Sequence, residues 1–583
     1  MKQRKWKILS KLAVGSESGE ARSRFARQLA ADKLINLLLE NRGISSKKDK
    51  ENFLHPPDPY TLTAEDIGID QKQLKKAINR IQKAIVDQES IVVYADYDAD
   101  GVTAGTVMWE TLHKLGAKVA PYIPHRVDEG YGFSVKGIDN VKAKHKPTLI
   151  VSVDHGVTAW EKIAYAKNLG IDVIVTDHHV LPIKLPNCTI VHTTQLAGAG
   201  VAWFVAKELI SSQSAVDYSQ FNIGNFKKEL LALVAIGTIG DMVPLTHANR
   251  SIAKYGLDAL NETERIGLKS LFENTGLELG NIGTYEVSFM IVPRLNAMGR
   301  IVHALDAMRL LCAPNVGRAR ELAQKLSETN RDRQKMTIDA TFHAKEIVAL
   351  GVKSKALSKI LFIAHEEYNQ GVIGLVAGKL VEEFYRPAIV VAIGERYSKA
   401  SARSISGFNI IEAIRSCSEL LIDCGGHPMA AGFTFETQKL VALKQKLETL
   451  AEAQINAELL TRILKIDTEL DLKNINMDLW RTLVTLEPFG MGNPQPIFAT
   501  RKVIIQDARL VGVEGKHLKL MVRSENNLTI KQLNNGISAI GFGMGKYCVD
   551  LKIGQPIDIA YSLDLNEWNG RASLQLKLKD IRV

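Results

Sequence analysis

Three aspartates at alternate positions, Asp96, Asp98 and Asp100, follow the apolar run Ile91-Val92-Val93-Tyr94-Ala95 and are closed by Gly101. Carboxylates crowded at one strand end repel one another, which raises their pKa values unless a cation shares the site. A hard divalent metal is the simplest remedy. Taken alone, this D-x-D-x-D-G stretch is equally compatible with a solvated acidic turn that caps the helical pattern 102–115. An EF-hand loop fits poorly, because the chain from Val102-Thr103-Ala104 onward supplies no Glu at loop position twelve.

Further acids decide between these readings. Asp154-His155-Gly156 closes the apolar run 148–153, Asp177-His178-His179 closes 172–175, and Asp241 follows the apolar run 230–239. Asp241 by itself reads as a capping or turn aspartate. Strand ends in an open α/β sheet converge on one crevice, so three polar clusters at such ends become neighbours without special arrangement. The aspartates, His178 and Asp241 make an oxygen-rich ligand set with an imidazole, which suits Mn2+ or Mg2+ better than zinc. Acids enough for two ions are present, and a metal pair about 3.5 to 4 Å apart is a device for hydrolysing phosphate esters.

The elements that must position these groups follow from periodicity. Runs rich in β-branched residues at 90–95, 118–123, 148–153 and 172–175, separated by helical stretches, predict a doubly wound, mostly parallel sheet. Residues 318–350 contain neither Gly nor Pro and predict one helix of roughly 50 Å, a rigid spacer. Strand 359–364, helix 372–384 and strand 388–393 predict a second α/β domain, followed by a loop Ser401-Ala402-Arg403-Ser404 whose hydroxyl and guanidinium suit a phosphate. Gly425 and Gly426 before His427 let amides approach the same anion, although Gly-Gly-His also reads as a turn with an exposed imidazole. Short strands at 499–506, 518–522, 538–542, 556–561 and 572–578, with an Asn569-Gly570 hairpin signal, predict a Greek-key barrel of the OB type. Lys516, His517, Lys519 and Arg523 with Tyr547 or Trp568 suit a single-strand groove, while such aromatics equally serve core packing.

Composition sets the outer bounds. At 583 residues, 46% hydrophobic and 24% charged, the chain has material for three or four domains. Its net charge of +10 favours an anionic partner. Much of that excess lies in residues 1–50, which read equally well as a solvated tail or a nucleic-acid contact. Five cysteines without a C-x-x-C pair suggest neither a disulfide framework nor a zinc knuckle. No apolar run reaches membrane-spanning length and no signal-type core follows the N-terminus, so a soluble, cytoplasmic protein is expected.

Asp96-Tyr-Asp-Ala-Asp-Gly, Val153-Asp-His-Gly, Thr176-Asp-His-His and Gly240-Asp-Met-Val-Pro-Leu, in this order, resemble the four motifs of the DHH phosphoesterase superfamily. The resemblance to its RecJ single-strand-specific exonuclease branch extends through 124–132, Pro293-Arg294-Leu-Asn296-Ala-Met-Gly-Arg300, 370–374, 401–404 and 425–432. It implies a basic segment 1–60, a DHH domain 61–250, a helical connector 251–352, a DHH-associated domain 353–458 and an OB domain 459–583. It implies metal ligands Asp96, Asp98, Asp100, Asp154, His178 and Asp241, with Asp154 bridging two ions of Mn2+ or Mg2+. Asp98, Asp100, Asp154, His178, His179 and Asp241 are the implied catalytic set, and Asp177 is implied to orient a ligand imidazole, with a strand-end cap as the equal alternative. Arg126, Arg294, Asn296, Arg300, Ser401, Arg403 and His427 are implied to line the DNA cleft, with Arg126, Ser401 and Arg403 on a terminal 5′-phosphate. One position departs: many relatives carry His four residues before the middle aspartate, where this chain has Tyr94, and Asp96 is the candidate substitute.

The implied activity is 5′→3′ hydrolysis of single-stranded DNA to 5′-mononucleotides in repair and recombination, beside a single-strand-binding protein and a RecQ-type helicase. Two rivals are a DHH-family oligoribonuclease or cyclic-dinucleotide phosphodiesterase, which usually lacks the barrel, and a non-catalytic single-strand-binding relative, whose metal motifs are eroded.

Overall fold

The computed structural model describes residues 4–11, 24–126, 128–130, 132–212, 222–354, 357–524, 536–568 and 571–583. The Asn569-Gly570 hairpin, Val127 and Tyr131 of the 124–132 motif, and residues 1–3 and 12–23 of the basic segment lie outside the described residues. The chain forms two compact units, one of Asp58–Val243 with Ser251–Thr461, the other of Met1–Pro57, Pro244–Arg250 and Arg462–Val583.

The first unit begins with a five-stranded, all-parallel sheet of β1 (Ser90–Ala95), β2 (Lys118–Tyr122), β3 (Leu149–Val153), β4 (Asp172–Asp177) and β5 (Thr189–His192) in the order β2-β1-β3-β4-β5. β1, β3 and β4 are buried almost throughout, as strands covered on both faces must be. Helices Val135–His145 and Trp160–Asn168 share a core with Val92, Tyr94, Ile150 and Val173. α1 (Ala99–Lys114), α2 (Gly198–Ser212) and α3 (Ile223–Gly240) pack on one another, α1 and α2 also against the strands. Strand order reverses between β1 and β3, and crevices open where neighbouring connections diverge in this way. Asp96 and Asp154 stand at those two strand ends. The edge strand β5 was not predicted, because four residues are too few to display a period.

The same unit continues through α4 (Val292–Ile301) and the 39-residue α5 (Val316–Ser354), the predicted long helix. A second sheet follows: β6 (Leu361–His365), β7 (Ala388–Ala392), β8 (Tyr397–Arg403), β9 (Asp423–His427) and β10 (Ala430–Glu436), in the order β9-β10-β8-β7-β6. Here two expectations are corrected. Ser401 and Arg403 lie on β8, not in a loop, and Gly425-Gly426-His427 belong to β9 and pair with β10. α6 (Ile373–Phe384) packs against β7 and β8.

In the second unit, β11 (Phe498–Val511), β12 (His517–Ser524), β13 (Ile537–Gly541), β14 (Pro556–Trp568) and β15 (Arg571–Arg582) follow the order β11-β12-β13-β15-β14, and β11 pairs back to β14. That last pairing closes the five-stranded barrel and removes its edges. Leu34, Leu38 and Leu39, from helix Arg24–Asn41, are buried in the barrel's core, and Lys5–Ile8 pairs in parallel with Ile463–Ile466. The described part of the basic segment is therefore folded. Tyr547 packs on the same core.

Gly198, first residue of α2, sits where a Cβ would overlap Asp154 Oδ1. Gly198→Ala is expected to displace that carboxylate and to cost about 1–3 kcal/mol, the usual range for overpacking. Urea denaturation and manganese titration should show lower stability and weaker binding together; an unchanged metal affinity would refute the contact.

Candidate metal centre and cationic cavity

Each acid of the centre is positioned by a helix end or a strand end. Asp98 caps α1, accepting from the amides of Asp100 and Gly101 at 3.0 Å each. Asp100 accepts from the first amides of α2, Gly198 at 2.7 Å and Ala199 at 2.8 Å, so the positive end of that helix dipole faces a carboxylate. Asp154 follows β3 with φ +65°, the left-handed conformation that Asp tolerates better than most residues, and its amide is tied to Thr176 O at 2.9 Å. Asp241 is the C-cap of α3. Asp96, Asp100 and Asp154 are each only 2% exposed.

These groups meet in three overlapping sets: Asp96, Asp98 and Asp154; Asp100, His178 and Asp241; and Asp154, His178 and His179. In each set one donor atom per residue lies within 4.8 Å of the others. Asp154 belongs to two sets and His178 to two. His178 Nε2 stands 3.2 Å from Asp154 Oδ1, 3.6 Å from Asp241 Oδ2 and 3.9 Å from Asp100 Oδ2. Asp96 Oδ1, Asp154 Oδ1 and His178 Nε2 are nevertheless buried with no hydrogen-bond partner. Buried polar atoms are normally satisfied, so three orphans aimed at one another fit a cation held among oxygens and one imidazole.

The electrostatics agree. Burial, then the charge of Asp98, pushes Asp100 up to about 7 and Asp96 well above the usual carboxylate range. Burial and the surrounding aspartates do the same to Asp154, and push Asp241 up to about 8. Burial, then His179, pushes His178 down to about 4, leaving the neutral imidazole that a metal needs. For His179, burial works downward, but the 2.8 Å hydrogen bond and charge of Asp177 outweigh it and hold the ring at about 9, a cation at neutral pH. Asp177 also accepts from the amides of Val157, His178 and His179, so it orients the histidine pair and does not face the cluster as a donor.

Tyr94 is fully buried away from this set. Its hydroxyl donates to Gly132 O at 3.3 Å, and its ring packs on Tyr122 and Phe133 with centroids 4.9 and 4.8 Å apart. Asp96 is the acid that enters the cluster from this strand end. His155, next to Asp154 in its motif, turns into the same aromatic nest and bonds Tyr94 O at 3.0 Å.

Tyr97, between two of the clustered aspartates, lines a separate cavity of about 240 Å3 together with Arg126, Arg300, Lys399, Ser401 and Arg403. Arg126 stacks over the Tyr97 ring at 5.0 Å. Arg403 donates to Ser401 Oγ at 3.2 Å and Ala402 O at 2.8 Å, while Arg300 donates to Gly371 O at 3.3 Å. Among the described residues none of the three guanidiniums forms an ion pair. Burial, then Arg126, pushes Arg300 down to about 10 and lowers Arg403 as well. Unneutralised, converging guanidiniums suit an anion.

Other predicted cleft residues are placed differently. Asn296 Oδ1 accepts from Ala99 N at 2.7 Å and so anchors the start of α1. Arg294 folds onto Met290 O at 2.6 Å, outside the cavity lining, and His427 is exposed on β9, also outside it. Tyr97 and Lys399 were missed. Lys399, Ser401 and Arg403 alternate along β8, so a strand reading of 397–403 would have put all three on one face.

Three family models match the chain: the DHH family, N-terminal domain over residues 90–238, the DHHA1 domain over 353–453 and the RecJ OB domain over 466–580. The chain is 37% identical over 569 residues to the single-stranded-DNA-specific exonuclease RecJ of Bacillus subtilis, covering 95% of this chain and 69% of that relative. To RecJ of Salmonella typhimurium it is 31% identical over 571 residues, covering 94% and 95%.

The chain belongs to the RecJ family.

RecJ of Thermus thermophilus in complex with Mn2+ superposes with a TM-score of 0.78 at 27% identity, covering 99% of this chain and 79% of that one; its Mg2+ complex gives 0.74. The RecJ architecture of a parallel DHH sheet, a DHH-associated domain and an OB barrel is thus present as the resemblance implied.

A carboxyl whose folded-state pKa exceeds its unfolded value of about 4 stabilises the fold while protonated, and that contribution is lost as pH rises through 7 to 8. Metal binding needs those carboxylates ionised. Thermal melts with EDTA should therefore show falling stability from pH 5 to 8.5, and the rise in Tm caused by manganese should grow over the same interval. A manganese effect independent of pH would contradict the assignment of these acids as ligands.

Proposed function

We propose that this chain is a metal-dependent, single-stranded-DNA-specific exonuclease that works from the 5′ end and releases 5′-mononucleotides in DNA repair and recombination. One observation carries the reading: Tyr97, a lining residue of the guanidinium cavity, is bracketed in sequence by Asp96 and Asp98 of the acidic cluster. An end-binding pocket is thereby built one residue away from the reacting centre, and fixing the end beside the chemistry is what makes cleavage directional.

The proposed roles follow from the geometry. Asp96, Asp98, Asp100, Asp154, His178 and Asp241 would hold two divalent ions, Mn2+ or Mg2+, Asp154 being a member of two of the three donor sets. Two such ions lower the pKa of a water and neutralise charge that develops on the scissile phosphate. His179, kept protonated by Asp177, is a cation beside that phosphate and a proton donor for the leaving 3′-oxygen. Arg126, Arg300, Ser401 and Arg403 clasp the terminal phosphate, with α6 beginning close by: a Cβ on Gly374 would stand 2.9 Å from Ser401 Oγ. Tyr97 offers its ring, already covered on one side by Arg126.

The barrel adds a second surface for the strand, as OB folds do. A single-strand-binding protein and a RecQ-type helicase are proposed as co-workers, because one holds and the other produces the single strands this site consumes. A cytoplasmic setting is proposed with them, and the five cysteines, all free thiols, suit its reducing conditions. No helix among the described residues is long and apolar enough to cross a membrane.

Single-stranded DNA labelled at either end, with and without a 5′-phosphate, tests the proposal in manganese, magnesium and EDTA. Early release of mononucleotides from the 5′ end is expected in either metal and not in EDTA. Asp154→Ala should lower turnover by about 10³-fold or more while DNA binding persists. Arg403→Ala should shrink the preference for a 5′-phosphate by roughly tenfold to a hundredfold. Full turnover by Asp154→Ala, or release from the 3′ end, would overturn the reading.

A further inference from the structure

The clasp proposed for a terminal phosphate leaves part of its cavity unassigned. A volume of about 240 Å3 is room for about eight waters at roughly 30 Å3 each, several times the bulk of one phosphate. The basic groups begin beside the acids and continue past the clasp. Arg126, over the Tyr97 ring at 5.0 Å, interacts electrostatically with Asp96, and Arg300 with Asp98. Arg403, bonded to Ser401 Oγ at 3.2 Å, has Arg126 as a charged neighbour. Lys399 precedes Ser401 by two residues on β8, so it shares that face and stands about 7 Å further along the strand. It lines the same cavity, is exposed, and forms no ion pair among the described residues.

The sheet beside Ser401 is bare. Ser401 stands opposite Gly432 of β10, and Gly432 opposite Gly425 of β9, so this row crosses three strands with one small side chain. Opposed residues share a face of the sheet. Neither the backbone nor packing demands these glycines: neither has positive φ, a Cβ on Gly425 would meet nothing within 4 Å, and one on Gly432 would meet only Ala400 O at 3.9 Å. What the missing side chains provide is open space over the strands. The adjoining rows wall this strip, with Lys399, Thr434 and Asp423 on one side and Arg403, Ala430 and His427 on the other. Cations of Arg403 and Lys399 at its two edges, with hydroxyls at Ser401 and Thr434, match consecutive anionic oxygens. A base or an apolar end group would leave Lys399 without an acceptor. Asp423, an acid of the lining, stands at the outer end of its row and repels any longer chain of anions.

We propose that this strip is a subsite for the outer phosphates of single-stranded DNA that ends in a 5′-di- or triphosphate, with Lys399 as their cation, so that polyphosphorylated ends are substrates as well as monophosphorylated ones. The subsite extends the terminal-phosphate clasp and rests on that reading. Water adds to the phosphorus that joins the first two nucleotides, the bond from that phosphorus to the 3′-oxygen breaks, and the 3′-oxygen takes up a proton. The first nucleotide leaves as an intact nucleoside 5′-di- or triphosphate, and the shortened strand begins with a monophosphate.

The test uses the full chain in manganese and one single-stranded DNA sequence carrying a 5′-hydroxyl, mono-, di- or triphosphate, with the first product identified by mass spectrometry. The triphosphate strand is expected to release an intact nucleoside triphosphate, with kcat/KM no lower than that of the monophosphate strand. In Lys399→Ala the ratio of kcat/KM for triphosphate over monophosphate should fall about tenfold, and Lys399→Arg, which keeps the cation, should retain it. Gly432→Val, which the open space admits but which fills the strip, should lower the same ratio by a similar factor. A merely structural effect of either change would lower both values and leave the ratio alone. Anisotropy of 3′-labelled strands bound in EDTA makes the same comparison without cleavage, so it decides the subsite even if neither metal supports cutting. A triphosphate strand bound and cut no better than the hydroxyl strand, with the monophosphate preferred to both, would overturn the subsite and leave the clasp standing. No preference among the four ends would overturn both, and a ratio unchanged in Lys399→Ala and Gly432→Val would overturn the subsite.

Discussion

Negative charge confined at the carboxyl ends of parallel strands is the constraint on which the rest of this fold depends. Asp96, Asp100 and Asp154 are all but sealed from solvent, and neighbouring acids push their proton affinities up together. Such an arrangement persists only if the protein makes it hard to relax. The sheet does this by burying β1, β3 and β4 on both faces. The helices do it by aiming amides at Asp100 and by pressing Gly198 against Asp154. The strain is resolved electrically by divalent cations, so affinity for the cofactor and stability of the metal-free fold are two views of the same repulsion.

Opposite charge accumulates next door. Arg126, Arg300 and Arg403 line a cavity without ion-pair partners among the described residues, although Tyr97 on its wall adjoins aspartates of the cluster in sequence. Backbone carbonyls, at Gly371 for Arg300 and at Ala402 for Arg403, take up part of the guanidinium hydrogen bonding without cancelling the charge. Acids and guanidiniums are thereby kept from neutralising one another. Asn296 and Gly299 of α4 brace the turn between them: one bonds Ala99 N, and the other lies so close under Tyr97 O that a Cβ would overlap it. A motif that reads as a DNA contact is thus also part of the frame that holds the acidic turn.

Much of the site was legible because its chemistry is local. Three acids after an apolar run, repeated at two further strand ends, point to a metal-binding crevice whatever the remaining topology, and the resemblance of those motifs supplied the family. The same reading misassigned the backbone of 401–403, since Ser and Arg suit loops as readily as strands. Their alternation with Lys399 became meaningful only once β8 was seen to pair with β7 and β10. Tyr94 looked like an altered ligand position, yet its ring turns to Phe133 and Tyr122, residues far along the chain that no local pattern connects to it.

What the sequence alone determined was the inventory: an alternating α/β pattern, a long uninterrupted helix, a barrel of short strands, and carboxylates with imidazoles at strand ends. Periodicity and side-chain chemistry are properties of adjacent residues, so they can be read in order. What only the tertiary structure decided was which atoms meet. Asp100 finds its amide donors at Gly198 and Ala199, nearly a hundred residues later, and Asp154 stands within reach of both Asp96 and His178. Those encounters depend on strand order, on a glycine-thin contact and on where helices begin. They are settled by close packing of the whole unit, which no stretch of sequence contains by itself.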